Sequence, residues 1–247
     1  MLGPDLHPAR ETLNDIRVIL LDIEGTTTPI AFVHQVLFPY ARARVHDYLA
    51  EHAEDPEVRA DLALLKTEHA AESDRDVPAW NPEAYVYWLM DRDRKSTGLK
   101  SLQGRIWEAG YRTGELRGKG EVYSDVRPAF ERWRQAGKQI AIFSSGSVQA
   151  QRNLFANTTA GDLSAFLSGY FDTTTGPKRE ARSYRQIAAT LRKEPRDMLF
   201  ISDVPAELDA AREAGMRTAL CVRESEPPIA NPQPLEHPRI RSFAELA

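Results

Sequence analysis

Val18-Ile19-Leu20-Leu21-Asp22-Ile23-Glu24-Gly25-Thr26-Thr27 sets a short apolar run directly before two acids and a glycine. Such a run is too short for a helix and suits a strand buried on both faces. Two further stretches have the same form: Ile140-Ala141-Ile142-Phe143 before Ser144, and Met198-Leu199-Phe200-Ile201 before Ser202 and Asp203. Thr218-Ala219-Leu220-Cys221-Val222 is a fourth candidate. Helical spacing fills the intervals. Val126, Phe130 and Trp133 share a face that Gly137 ends. Ser147 can cap a helix bearing Val148, Gln151 and Phe155, and Tyr184, Ile187, Ala188 and Leu191 form another stripe. Pro205 suits a first turn and Gly215 a helix end. From residue 120 the predicted order is helix, strand, helix, helix, strand, helix, strand. The expected fold class is therefore α/β, a Rossmann-like doubly wound parallel sheet.

Residues 31–119 break this alternation just after the first strand. They are charged, rich in aromatic residues (Trp80, Tyr85, Tyr87, Trp88, Trp107 and Tyr111) and mostly helical in pattern, with Val58, Leu62 and Leu65 on one stripe. The expected organisation is an α/β core from 14–30 and 120–247 with an inserted helical cap at 31–119. The proline-rich stretch from Glu224 to Pro238 is expected to wrap the surface. A chain of 247 residues, 42% hydrophobic, can bury a real core. Its net charge of −4 argues against a general nucleic-acid binder. No run approaches the roughly 18 apolar residues of a membrane span. The stretch Met1 to Thr12 lacks the apolar segment of a signal peptide, and the single Cys221 leaves no internal disulfide to form. The expectation is a soluble, cytoplasmic monomer that binds neither nucleic acid nor membrane.

Ligands of an open parallel sheet bind beyond the carboxyl ends of its strands. Asp22, Ser144 and Asp203 each follow a predicted strand, so one place collects an acid, a hydroxyl and a second acid. On an extended chain residues i and i+2 lie about 6.6 Å apart on one side, so Asp22 and Glu24 can face one substrate, one as nucleophile and one as proton carrier. Gly25 permits the turn that follows. Two carboxylates beside a phosphate repel it, a difficulty that a divalent cation removes, and Asp203 adds another hard oxygen ligand. Ser144-Ser145-Gly146-Ser147 opens a helix, where hydroxyls and free amides can cradle a phosphate. Lys178, after Thr175-Gly176-Pro177, can neutralise that phosphate and orient Asp22.

The order Asp22, Ser144, Lys178, Asp203 resembles the haloacid dehalogenase superfamily. Asp22-Ile23-Glu24-Gly25-Thr26-Thr27 resembles more closely the opening of the enolase-phosphatases of methionine salvage, in which glutamate replaces the usual second aspartate. Phe143-Ser144-Ser145-Gly146-Ser147-Val148-Gln149-Ala150-Gln151 is similar to that family too, as is Leu102-Gln103-Gly104-Arg105-Ile106-Trp107 with Gly110 and Tyr111. The likeness runs from about residue 16 to 222. Pro177 departs from it, standing where some relatives carry a histidine. The resemblance implies Mg²⁺ held by the Asp22 carboxylate, the Glu24 backbone carbonyl and Asp203, with catalysis by Asp22 and Glu24 and substrate binding by Ser144, Ser145 and Lys178. It implies a small phosphorylated substrate, 2,3-diketo-5-methylthiopentyl-1-phosphate, enolised and then dephosphorylated to an acireductone. Glu207, one helical turn beyond Asp203, is either a brace of the site or plain surface.

Other readings remain at this stage: another phosphatase of the same fold, a metal-independent dehalogenase, or a silent binding protein on this scaffold. Three signals carry less weight. Gly114-Glu115-Leu116-Arg117-Gly118-Lys119 is short of phosphate-loop spacing and runs on into Gly120. The six histidines lack metal-ligand spacing. The aromatic residues of the insertion are expected to form its own core.

Overall fold

The computed structural model describes residues 13–94, 96–224 and 237–246. The chain forms two compact units: one holds the described residues up to Ile30 and from Arg117 onward, the other is Ala31–Leu116.

The first unit is built on six strands: β1 (Val18–Leu21), β2 (Gln139–Phe143), β3 (Leu167–Phe171), β4 (Met198–Ser202), β5 (Arg217–Cys221) and β6 (Arg239–Ile240). They form one sheet in the order β3-β2-β1-β4-β5-β6, and every pairing is parallel. β1 lies between β2 and β4 and is buried along its whole length, which is why its sequence shows no polar alternation. Chain order runs outward from β1 through β2 to β3, then resumes at β4 on the other side of β1. That reversal opens a crevice beyond the carboxyl ends of β1 and β4.

Successive residues of a strand face opposite sides. Val18 and Leu20 pack with Phe143, Phe200, Tyr184, Ile187 and Leu208 in the cluster under helices α8 (Ala181–Leu191) and α9 (Pro205–Glu213). Elsewhere in this unit, Val126, Phe130 and Trp133 of α6 (Val126–Gln135) are buried, and Phe130 lies against Phe155 of α7 (Val148–Ala156). The expected punctuation is present: Ser147 Oγ accepts from the Ala150 amide, Pro205 opens α9, and Gly137 and Gly215 end helices with positive φ.

Two strands were absent from the sequence expectation. β3, Leu-Ser-Gly-Tyr-Phe, lies at the sheet edge with only Phe171 fully buried, so it has no continuous apolar run to read. β6 is two residues long and extends the sheet beside β5. The Glu224–Pro238 stretch, apart from its ends, falls outside the described residues, as does Met1 to Thr12.

Asp125 precedes α6 but makes no capping bond to it. Its Oδ2 accepts instead from Arg223 Nη1 at 2.7 Å, Ser242 Oγ at 2.8 Å and the Phe243 amide at 2.6 Å. Burial alone would raise its pKa, but the Arg223 guanidinium, the Phe243 amide and the Ser242 hydroxyl together hold it below the usual carboxylate range. A depressed native pKa gives stability that is present above the ordinary value of about 3.9 and lost as pH falls through the native one. Asp125→Asn is therefore expected to lower stability at neutral pH and to flatten the acid limb of the stability curve. Urea melts across the acid range check both effects.

The second unit is helical: the single turn α1 (Ile30–Phe32) leads through a π turn (Val33–Leu37) into α2 (Phe38–Glu51), then α3 (Pro56–Ala70), α4 (Pro82–Asp91) and α5 (Thr97–Thr113). Asp55, Asn81 and Ser96 accept bonds from the first turns of α3, α4 and α5. Val45, Leu65, Tyr85, Val86, Trp88, Leu102 and Ile106 form its core, with Trp80, Tyr87 and Trp107 packed against it. Gly114 closes α5 with φ of 90°, so the discounted glycine-rich run begins as a helix end.

Candidate active site

Asp22 follows the last residue of β1, and its amide donates to the Ile201 carbonyl of β4 at 3.0 Å. The residue is 5% exposed. Its Oδ1 accepts from the Ile23 amide at 2.7 Å and pairs with Lys178 Nζ at 2.7 Å. Lys178 also pairs with Glu207 Oε2 at 2.6 Å. Ser202, at the end of β4, lies between the two acids: its Oγ is 3.2 Å from Asp22 Oδ2 and 3.1 Å from Glu207 Oε2. The same Oγ accepts from the Val204 amide, so its one hydrogen is shared between the carboxylates.

Beyond Asp22 the chain closes a tight turn. The Ile23 carbonyl accepts from the Thr26, Thr27 and Thr28 amides, and the Gly25 amide donates to the Thr28 carbonyl at 2.9 Å. Gly25 sits at φ of 68°, and a Cβ there would meet Asp203 Oδ2 at 2.4 Å. The glycine thus answers two demands, a left-handed backbone and the close approach of Asp203. Glu24 is exposed on this turn, in contrast to Asp22.

Lys178 comes from the loop after β3. Gly176 (φ 137°) leaves no room for a side chain beside Ser183. Ser183 Oγ donates to the Pro177 carbonyl and Tyr184 OH to the Lys178 carbonyl, each at 2.7 Å. The lysine backbone is therefore tied down by α8, and its ammonium passes 5.9 Å from the Phe143 ring centre.

Ser144 and Ser145 follow β2, the strand beside β1. Ser144 is buried and its Oγ accepts from the Gly146 amide, while Ser145 is exposed. The helix-start amides differ from expectation. Val148 N–H is taken by Asp172 Oδ2 and Ala150 N–H by Ser147 Oγ, so these two do not stand free for an anion.

The electrostatics are lopsided: Asp22, Asp203 and Glu207 share one ammonium. Burial, then the charges of Asp22 and Glu207, push Asp203 up to about 7 against the opposing pull of Lys178. Burial and the charge of Asp22 push Glu207 up to about 7 as well, even with Lys178 in contact. The Lys178 pKa is raised although burial opposes it, because Asp22 and Glu207 both favour its charged form. Hard oxygen donors carrying uncompensated negative charge fit a divalent cation. Among the described residues no three His, Cys, Asp or Glu side chains form a metal cage on their own, which leaves room for a backbone carbonyl in the ligand set. Glu207 was undecided from the sequence, although its four-residue spacing from Asp203 hinted at it. Ser202 gave no signal beyond being a serine at a strand end.

Carboxylates beyond the ends of β1 and β4, a buried lysine between them and a sheet reversing beside them define a Rossmann-like α/β protein with an acidic site at the switch point of its sheet. The model of the haloacid dehalogenase-like hydrolases matches residues 16–215. The chain is 58% identical to Enolase-phosphatase E1 of Synechococcus elongatus over 94% of its own length and 98% of that protein. It is 46% identical to Enolase-phosphatase E1 of Pseudomonas aeruginosa, covering 94% of this chain and 98% of that one. The structure of the UTR4 protein of Saccharomyces cerevisiae is similar over 92% of this chain and 98% of that one, with a TM-score of 0.72 and 33% identity. A Rhodobacter sphaeroides CbbY structure, 17% identical with a TM-score of 0.56 over 94% and 96% of the two chains, shares the fold. The chain belongs to the enolase-phosphatases within the haloacid dehalogenase-like hydrolases. Membership implies a small phosphorylated substrate and a divalent metal cofactor, which the excess of carboxylates fits.

Proposed function

We propose that the chain enolises 2,3-diketo-5-methylthiopentyl-1-phosphate and then hydrolyses the phosphate ester through an aspartyl-phosphate on Asp22, giving 1,2-dihydroxy-3-keto-5-methylthiopentene in methionine salvage. The observation that carries the reading is the Asp22 carboxylate, buried at the end of the central strand and aimed by Lys178, Ser202 and the Ile23 amide.

In the phosphatase step an Asp22 oxygen bonds to phosphorus as the ester P–O bond breaks, and Glu24 gives its proton to the leaving oxygen. Glu24, now a carboxylate, takes a proton from water as that water attacks phosphorus. The bond to Asp22 breaks and the aspartate is restored. Exposure of Glu24 on the turn suits a group that must reach substrate and water in succession. Lys178, paired with Asp22 at 2.7 Å, holds that carboxylate in place and offsets phosphate charge, and Ser144, whose Oγ accepts from the Gly146 amide, has its own hydrogen to give to a phosphate oxygen. Ser145 offers a second hydroxyl beside it. The Asp22 carboxylate, the Glu24 carbonyl and Asp203 are the residues that would hold Mg²⁺. The cation supplies charge neutralisation between these acids and the phosphate when bound. Glu207 braces Lys178. In the enolase step a carboxylate of the site takes the proton from the carbon between the phosphate ester and a ketone, hydrogen-bond donors stabilise the enolate, and its oxygen takes up a proton from solvent to give the enol.

In this reading Ala31–Leu116 is the cap, and the protein works as a cytoplasmic monomer. Leu64 is the only exposed large hydrophobic residue among those described, which supports the monomer, and no described helix is long and apolar enough to cross a membrane.

The test is chelator-treated enzyme supplied with the diketo phosphate while Mg²⁺ is titrated back. Phosphate release and deuterium uptake at the first carbon are both expected to return with the metal. Full phosphate release without metal would exclude the metal's role. Asp203→Ala is expected to raise the Mg²⁺ needed for half-maximal turnover by about 100-fold or more.

A further inference from the structure

We infer that Arg223, on the loop after β5, is a positioning residue for the metal-binding turn, an inference that rests on reading the Glu24 carbonyl as a metal ligand. Arg223 is 6% exposed, and its Nε and Nη2 both donate to the Thr26 carbonyl, at 3.0 and 2.7 Å. Nη1 reaches Asp125 and, at 3.3 Å, the Arg241 carbonyl. The guanidinium lies between the rings of Tyr123, 4.2 Å away, and Phe243, 4.6 Å away.

Planarity shows what this grip achieves. In a trans peptide the carbonyl and the following N–H point in opposite directions, so fixing one edge of the plane aims the other. The Gly25 amide bonds the Thr28 carbonyl, which aims the Glu24 carbonyl away from the turn's interior. The Thr26–Thr27 plane is held on one edge by the bond from Thr27 N–H to the Ile23 carbonyl and on the other by Arg223. The Thr27 carbonyl is held by the Tyr123 amide. Without Arg223 a fully buried carbonyl loses two charge-assisted bonds and the turn must shift to satisfy it. The Glu24–Gly25 plane, in the same ring of bonds, shifts with it.

Arg223 is in turn set by Asp125, which accepts from Ser242 and Phe243. The C-terminal turn Phe243–Glu245 is thereby the outer wall of a clamp on the active-site loop. An arginine matters here because its planar fork reaches Thr26 and Asp125 together, which a lysine ammonium does not.

The experiment measures Mg²⁺ binding to metal-free Arg223→Met, Arg223→Lys, Asp203→Ala and the parent chain by calorimetry, with melting curves and steady-state kinetics alongside. Arg223→Met is expected to bind Mg²⁺ at least about tenfold more weakly and to lose kcat with little change in KM, and Arg223→Lys to recover part of the affinity. Mg²⁺ affinity in Arg223→Met within about threefold of the parent overturns the inference, whatever happens to the melting temperature. Should Arg223→Met fail to fold, unchanged affinity in Arg223→Lys overturns it and weakened affinity supports it. If Asp203→Ala weakens Mg²⁺ binding while the Arg223 variants do not, the clamp alone falls. If Asp203→Ala binds Mg²⁺ normally, the metal site and the clamp fall together.

Discussion

Asp22→Asn is expected to release no phosphate above background while remaining folded. The amide is a poor nucleophile toward phosphorus, so the covalent step has no attacking group. Loss of the nucleophile in a hydrolase can cost on the order of 10⁶ in kcat, and a fall of at least about 10³-fold is expected here. The fold survives because of the local charge balance. Asp22, Asp203 and Glu207 share Lys178, and Asp22 is the neighbouring charge that most raises the other two acids. Replacing it by a neutral amide of similar shape leaves one lysine facing Glu207 and relieves the repulsion on Asp203. In the absence of metal the variant is expected to melt no lower than the parent. Calorimetric melts and a phosphate-release assay on one preparation check both halves.

Lys178→Ala is expected to harm both activity and stability, whereas Lys119→Ala changes neither. Lys178 is the only cation paired with Asp22 and Glu207 among the described residues, and its side chain is 10% exposed. Removing it leaves two buried carboxylates with hydrogen bonds from Ser202 and the Ile23 amide but without a counter-charge. Breaking such a pair costs about 3–5 kcal/mol, and uptake of protons by Asp203 and Glu207 sets the upper limit on the damage. Turnover should fall by about 10² to 10³, the usual loss for one electrostatic contact in a charged transition state. Lys119 is exposed on the run that follows the end of α5 and serves as the control. Equal losses in the two variants would place the phosphate-neutralising lysine elsewhere.

Much of this was legible in the sequence because central parallel strands are unusually plain text. β1, β2 and β4 are buried on both faces, so their apolar runs end at or one residue before the strand's end, and the residue after the strand stands where an open parallel sheet binds ligands. That rule located Asp22, Ser144 and Asp203 without knowledge of tertiary contacts. β3 escaped it because an edge strand can carry Ser168 and Gly169 without cost, so Lys178 was placed by resemblance and not by the strand that leads to it. Glu207 was ambiguous because an acid one helical turn into α9 looks the same in sequence whether it meets solvent or Lys178. Arg223 and Asp125 were invisible for a different reason. Arg223 donates to the Thr26 carbonyl 197 positions away, and Asp125 accepts from Arg223 98 positions away, and no local sequence pattern records either bond. Sequence also suggested that helix-start amides would cradle phosphate, but two of them are taken: one by Ser147, the helix-capping residue that the sequence did indicate, and one by Asp172, which lies just beyond the unread strand β3.

The most direct measurement is rapid acid quench of the enzyme during turnover, followed by peptide mass analysis. A Glu24→Gln variant is included because loss of the base that activates water prolongs any covalent intermediate. The expected result is one phosphoryl group on the peptide bearing Asp22, more abundant in Glu24→Gln than in the parent and absent from Asp22→Asn. A phosphoryl group on any other residue, or continued phosphate release by Asp22→Asn, would contradict the assignment of Asp22 as nucleophile.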